Sequence, residues 1–167
     1  MSAYDDELVF LLIALGGRLS RLEQHVLEQL PVALTYRQYR LLARVAEGHH
    51  TPQVLASFAN LTLPTISESI TVLVRRGLLT RTTSPTDRRA VLVHVTAEGK
   101  KALKAADDAL RVAFTEVMRD LETEADKRVA YEQLSLLHTR AGEFFPPPLT
   151  TRYSRPGATP RRESENR

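Results

Sequence analysis

Two short stretches of this 167-residue sequence bring together side chains that could act jointly. One runs from Thr62 to Gly77 and sets Thr62, Pro64, Thr65, Ser67, Glu68, Thr71 and Arg75 among the apolar residues Ile66, Ile70, Leu73 and Val74. Apolar side chains at that spacing form one stripe of an α-helix, which leaves the hydroxyls, the carboxylate and the guanidinium on the other faces. Small hydrogen-bonding groups on such a face suit base edges, which must be approached closely in a DNA major groove. The other stretch is Asp87-Arg88-Arg89, a polar segment between the β-prone runs 78–83 and 90–95. Arginine at the tip of a hairpin fits a narrow, electronegative minor groove. The chemistry on offer is recognition of a polyanion.

Other chemistries lack their marks. No nucleophile–base pattern, glycine-rich phosphate loop or clustered carboxylate pair occurs, so neither catalysis nor a cofactor is expected. There is no cysteine, which removes disulfides and thiolate metal sites. His49 and His50 follow Gly48 and could meet His94, but no acidic residue stands at ligand spacing, and no metal is expected. A net charge of +3 and a pI near 9.4 permit a nucleic-acid partner without demanding one. No apolar run approaches the roughly 18 residues of a membrane span and no signal-peptide pattern opens the chain, so a cytoplasmic protein with no membrane partner is expected.

The elements that would position these residues follow from caps and breakers. Residues 4–30 read as one long helix with Leu8, Leu12, Leu15, Leu19, Leu22 and Val26 as a heptad-like seam, ended by Pro31. A seam of that length needs cover from the protein's own core or from a second subunit. Thr35 opens a helix over 36–47 that Gly48 closes, and Thr51 caps another over 52–59 with Pro52 at its first position. Asn60-Leu61 is a tight joint into the helix that Thr62 caps, which completes a helix-turn-helix. The hairpin after Gly77 is then a wing. A long helix over 97–122 and a last one from 124 to about 144 follow, stopped by Pro146-Pro147-Pro148. The fold class is mostly α (α+β), a winged helix-turn-helix with long terminal helices. Residues 1–148 form one protomer, with a DNA-binding part at 35–96 and dimerisation helices at 4–30 and 97–145. The tail, 149–167, has almost nothing to bury and reads as disordered, with Arg152, Arg155, Arg161 and Arg162 solvated or against phosphates.

With those pieces placed, the sequence resembles the MarR family of winged-helix transcriptional regulators. The strongest match is Asp87-Arg88-Arg89-Ala90-Val91-Leu92-Val93-His94-Val95-Thr96-Ala97-Glu98-Gly99, similar to the family's wing signature, Asp-x-Arg followed by Leu-Thr-x-x-Gly. Val95 stands where that leucine is usual, and Val91 where a lysine is common. Residues 34–42, 64–67 and 76–81 resemble the family's second helix, its recognition helix and the exit from it. The resemblance implies a homodimer that regulates transcription, as a repressor, from double-stranded DNA with a pseudo-palindromic operator. It implies as well a small aromatic or phenolic effector between the first, second and fifth helices, near Arg18, His25, Tyr36 and Tyr39. Tyrosines at helical spacing also serve as core or dimer contacts. Glu68 departs from the family, where arginine is frequent; it either accepts from cytosine N4 or pairs with an arginine and orients it. The alternatives to this function are a winged-helix module that docks protein and a nonspecific architectural DNA binder, and the paired arginines of the wing speak against the first.

In a hairpin, successive side chains point to opposite sides, so Arg88 and Arg89 are not equivalent. The family-like spacing suggests that Asp87 pairs with Arg89 and holds the wing's shape, which leaves Arg88 nearer DNA. Arg88→Ala is expected to weaken DNA binding and lower the salt slope by about one unit, while Asp87→Ala weakens binding with the slope retained. Affinity measured against salt concentration checks this, and unchanged affinity in Arg88→Ala and Arg89→Ala alike would show a wing that does not touch DNA.

Overall fold

The structure, a computed structural model, describes residues 3–48, 50–83 and 91–144. The tail expected from 149, the wing residues Asp87, Arg88 and Arg89, and His49 all lie outside the described residues. The elements run α1 (Ala3–Glu28), α2 (Tyr36–Ala46), α3 (Pro52–Ala59), α4 (Leu63–Arg75), β1 (Leu79–Thr83), β2 (Val91–Val95), α5 (Ala97–Val117) and α6 (Glu124–Gly142).

Threonine starts five of these helices. The side chains of Thr35, Thr51, Thr62, Thr96 and Thr123 each accept from a backbone N–H one turn in. Such a bond satisfies an orphan donor and is worth about 1 kcal/mol. Thr35 with Gln38, and Thr123 with Asp126, close the reciprocal form of the cap. Chain reversals use left-handed backbone at Asn60 (φ 50°), between α3 and α4, and at Gly77 (φ 70°), between α4 and the wing. The long helices stop earlier than the sequence pattern suggests. α1 ends at Glu28 because Pro31 biases Leu30 away from helical backbone, and α5 ends at Val117 ahead of the α6 cap at Thr123.

The core lies between α2, α3, α4, α5 and the hairpin. Leu42 and Val45 of α2, Leu55 of α3, Ile70 and Leu73 of α4, Leu79 and Val93 of the strands and Leu103 of α5 are all fully buried. From α1 only its C-terminal end takes part, through Leu27. The seam read from Leu8 to Val26 is therefore not a core seam within the protomer: Leu8, Leu12 and their neighbours Val9, Phe10 and Leu11 are exposed. α6 buries no residue at all.

β1 and β2 pair antiparallel with Leu79 opposite Val95 and Arg81 opposite Val93. Opposed residues share a face, so Arg81 leaves the hairpin on the same side as buried Val93. The outer edge of β2 is also paired, since Val93 N–H donates to the His50 carbonyl (2.8 Å) and His50 Nδ1 lies 3.0 Å from the Val93 carbonyl.

Where the hairpin meets α5 the packing is tight. Thr96 N–H donates to the Leu78 carbonyl (3.2 Å), and Thr96 Oγ1 donates to the Gly77 carbonyl (2.7 Å). Gly99, one turn into α5, is buried against this joint, and a Cβ there would overlap the Leu78 carbonyl oxygen and sit 2.8 Å from Val95 Cγ1. Backbone cannot yield as a side chain can. Gly99→Ala should destabilise the fold by about 3 kcal/mol or more, a fall in Tm of roughly 6–12 °C for a chain of this size. A melting curve matching wild type would show that the joint is looser than described.

Candidate nucleic-acid interface

α4 presents its side chains in three classes. Ile66, Ile70 and Leu73 are buried and hold it to the core. A second class is tied up within the protein. Thr62 and Thr65 pair hydroxyl to hydroxyl at 2.8 Å, and Ser69 Oγ donates to the Thr65 carbonyl (2.9 Å). Thr71 Oγ1 donates to the Ser67 carbonyl (2.8 Å) and accepts from Arg81 Nη2 (2.6 Å), which also reaches the Ser67 carbonyl at 3.4 Å. The third class faces solvent: Pro64, Glu68 and Arg75 are exposed, and Ser67 is half-buried at the edge of that face. Among the described residues Glu68 and Arg75 form no ion pair.

Of the seven residues singled out on this helix, Pro64, Glu68 and Arg75 thus stand free to meet a partner. Thr62 caps the helix, Thr65 is bonded to that cap, and Thr71 links α4 to β1. The link could not be read in the sequence, where Arg81 was one polar residue in a β-prone run. Its signal is the hairpin register, which sets Arg81 on the same face as Leu79 and Val93, within reach of α4. A second unread tie is Arg76, whose guanidinium donates to Gln38 Oε1 (2.9 Å) and to the Ala33 carbonyl (2.6 Å), fixing the end of α4 to the start of α2.

The four residues named for an effector are spread over different surroundings. Arg18 is exposed on α1 and borders a hollow of about 620 Å3 that also takes in Phe10, Leu11 and Leu15. His25 is exposed further along α1. Tyr36 lies beneath Arg40, whose guanidinium carbon is 5.8 Å from the ring centroid. Tyr39 is 3% exposed, and its hydroxyl donates to Asp107 Oδ1 (2.9 Å), bracing α2 against α5. Asp107 went unread because it sits one turn from the core stripe Leu103, Ala106 and Leu110 and looks like any solvated acid.

His50 and His94 do meet, with ring centroids 5.0 Å apart. They pin the wing: His94 Nε2 is 2.9 Å from Thr82 Oγ1 across the hairpin, and His50 bonds β2. No group of three or more His, Cys, Asp or Glu among the described residues is arranged to hold a metal. Nor is any described helix long and apolar enough to cross a membrane.

Known proteins share this arrangement. Residues 34–90, which take in α2, α3, α4 and β1 and end before β2, match the sequence model of the MarR family. The uncharacterized HTH-type transcriptional regulator YhbI of Bacillus subtilis is 31% identical over 77 residues, 46% of this chain and 50% of that one, so the match spans about half of the relative's length. The crystal structure of a MarR-family transcriptional regulator from Rhodococcus sp. RHA1 superposes with a TM-score of 0.65 at 26% identity, covering 87% of this chain and 99% of that one. FabT of Streptococcus pneumoniae, solved in complex with DNA, shares the fold with a TM-score of 0.71 at 20% identity over 83% of this chain and 98% of its own. Sequence and architecture agree: residues 34–90 carry the sequence pattern of the MarR family, and the described chain has the winged-helix fold of a MarR-family transcriptional regulator.

Proposed function

We propose that this chain is a homodimeric, sequence-specific DNA-binding repressor of transcription in the cytoplasm, released from its operator by a small-molecule effector. The observation that carries the reading is α4 itself. It is held rigid by Arg81, Arg76 and its threonine cap while Pro64, Ser67, Glu68 and Arg75 stay available at the surface. A helix whose partner-facing residues are free and whose flanks are fixed is preorganised for a groove. FabT, which shares the fold, is seen with DNA, and this supports double-stranded DNA as the partner here. Residues 35–96 would bind it, and helices 4–30 and 97–145 would form the dimer.

The apolar surface supports the dimer. Phe10 is 75% exposed and Leu134 55%, and Leu8, Val9, Leu11, Val129, Leu136 and Phe144 are exposed with them. Monomers rarely leave contiguous apolar surface of this kind uncovered. A dimer built on α1, α5 and α6 would bury above roughly 2,000 Å2, as obligate pairs do. Leu134→Asp should give a folded monomer, because Leu134 is 55% exposed and α6 buries no residue within its own protomer; sedimentation at micromolar concentration reads it. A wild type that sediments as a well-folded monomer would sink the dimer.

Two recognition helices related by a two-fold axis should protect half-sites about 10–10.5 base pairs apart, or a multiple of that. A footprint on the DNA flanking the protein's own gene tests this, and protection of a single asymmetric half-site would contradict it. On the same fragment Arg81→Ala should weaken binding about tenfold or more, with the salt slope little changed, because the Arg81 guanidinium is spent on Thr71 and Ser67 rather than on phosphate. Arg81→Lys should restore part of the loss. A slope lowered by a full unit would instead place Arg81 on the DNA backbone.

A further inference from the structure

α4 opens with two apolar side chains that the core does not take. Leu63, its first residue, is 42% exposed, and Pro64 beside it is exposed as well. The apolar residues around this pair have structural work. Leu61, just before the Thr62 cap, packs against the core that holds Ile66, four residues past the cap. Those are the two places of a hydrophobic staple, which fixes how the chain enters a helix. Pro64 suits a first turn, where its missing N–H would have had no helical acceptor. Leu63 serves neither purpose.

Its place decides what it can meet. Cα–Cβ bonds tilt toward the N-terminus of a helix, so a side chain at the first position leans past the helix end. The N-terminal residues of a recognition helix are the ones that contact base edges. Leu63 leads the row Leu63, Ser67 and Thr71, set at steps of four along one flank of α4. Arg81 of the wing fixes the other end of that row, through the Ser67 carbonyl and the Thr71 hydroxyl. The rest of the first turn has little to bond with. The Thr62 and Thr65 hydroxyls are turned to one another, and Thr62 also accepts from the Thr65 N–H. A turn that leads with leucine and proline is matched by an apolar feature, and among base edges in the major groove that feature is the C5-methyl of thymine.

We propose that Leu63 is a specificity-determining residue that packs on the C5-methyl of one thymine in each half-site. The inference rests on the DNA-binding function proposed above and names a base that α4 selects. Burying one methyl group against an apolar side chain is worth about fourfold in affinity. Cytosine at the same position would lose that gain and would set its amino group against leucine, stripped of water with no acceptor in return. Glu68 stands nearly one and a half turns further along, about 7.5 Å by the helical rise. Leucine and carboxylate therefore select at separate points of the half-site.

Deoxyuridine differs from thymidine only in lacking this methyl. Replacing single thymines by deoxyuridine across the protected half-sites of the footprinted fragment reads the contact one methyl at a time. Wild type should lose about fourfold at one thymine position in each half-site. Leu63→Ala should bind the thymine fragment about fourfold or more weakly, with the salt slope unchanged because no charge is removed. It should also no longer distinguish thymine from uracil at that position. Alanine is the best helix former, and melting curves monitor the fold. Leu63→Met keeps an apolar tip and should keep the discrimination. A leucine that only supported the helix would on removal weaken both fragments alike and leave the discrimination in place. That result, or a footprinted operator in which no uracil weakens wild type, would overturn the proposal and leave the regulator standing. A protein that binds no DNA would remove the regulator and this contact together.

Discussion

The peptide units from Gly77 to Leu79 are where α4, the wing and α5 are joined, and no slack remains among them. Leu78 N–H donates back to the Leu73 carbonyl of α4 (2.9 Å), while its own carbonyl accepts from Thr96 and lies against Gly99 of α5. Thr96 at the same time bonds Gly77 through its side chain and caps α5. The joint is made mainly of backbone groups, with one threonine and two glycines, so it has few rotamers through which to absorb a displacement. A tilt of α5 therefore has to move the wing and the end of α4 with it. α5 in turn packs on α1 and, through Tyr39 and Asp107, on α2. Any event that changes the angle between the long helices reaches α4 by rigid transmission, since packed cores deform little.

The long helices are poorly satisfied inside one protomer. α1 has 26 residues and so reaches roughly 39 Å, yet it enters the core only at its last turns. The remainder, with α6, carries leucine, valine and phenylalanine into solvent. On the proposed dimer these helices are struts: one end fixed in a winged-helix core, the other in a shared apolar interface. The distance between two copies of α4 then follows from helix length and angle. A rigid joint at one end and a shared interface at the other is what a two-fold operator with fixed half-site spacing would require.

What could be read in the sequence was whatever local chemistry decides. Thr51-Pro52 and Asn60 bound α3 to the residue, because a cap, a proline and a left-handed position each act on their own neighbours. The hairpin and α4 were legible for the same reason. The heptad-like pattern in α1 marked where apolar residues stand but not what covers them, since periodicity carries no information about a partner. Side-chain ties between distant residues were illegible: Tyr39 and Asp107 are 68 positions apart, Arg76 and Ala33 are 43. At the candidate site the sequence identified the helix and its polar residues and could not sort them, because Thr71 looks alike whether its hydroxyl meets a base or an arginine ten positions on.

That sorting constrains what α4 could recognise. Serine and threonine in a helix commonly donate their hydroxyl proton to the carbonyl four residues back, as Ser69 and Thr71 do here. A hydroxyl so engaged retains only acceptor capacity, and in Thr71 the guanidinium of Arg81 already takes it. Thr62 and Thr65 bond each other. Glu68 is an acceptor only, when ionised. Donors on the exposed face are then Arg75 near its end and Ser67 at its edge. On the proposed reading the middle of α4 offers a carboxylate and little else, which favours bases that present an amino group in the major groove, cytosine N4 or adenine N6. A phosphate or a guanine O6 brought to Glu68 would meet repulsion with no compensating donor. On that reading Glu68, which departs from the arginine frequent in the family, would be the strongest filter on sequence in this helix, acting as much by exclusion as by attraction.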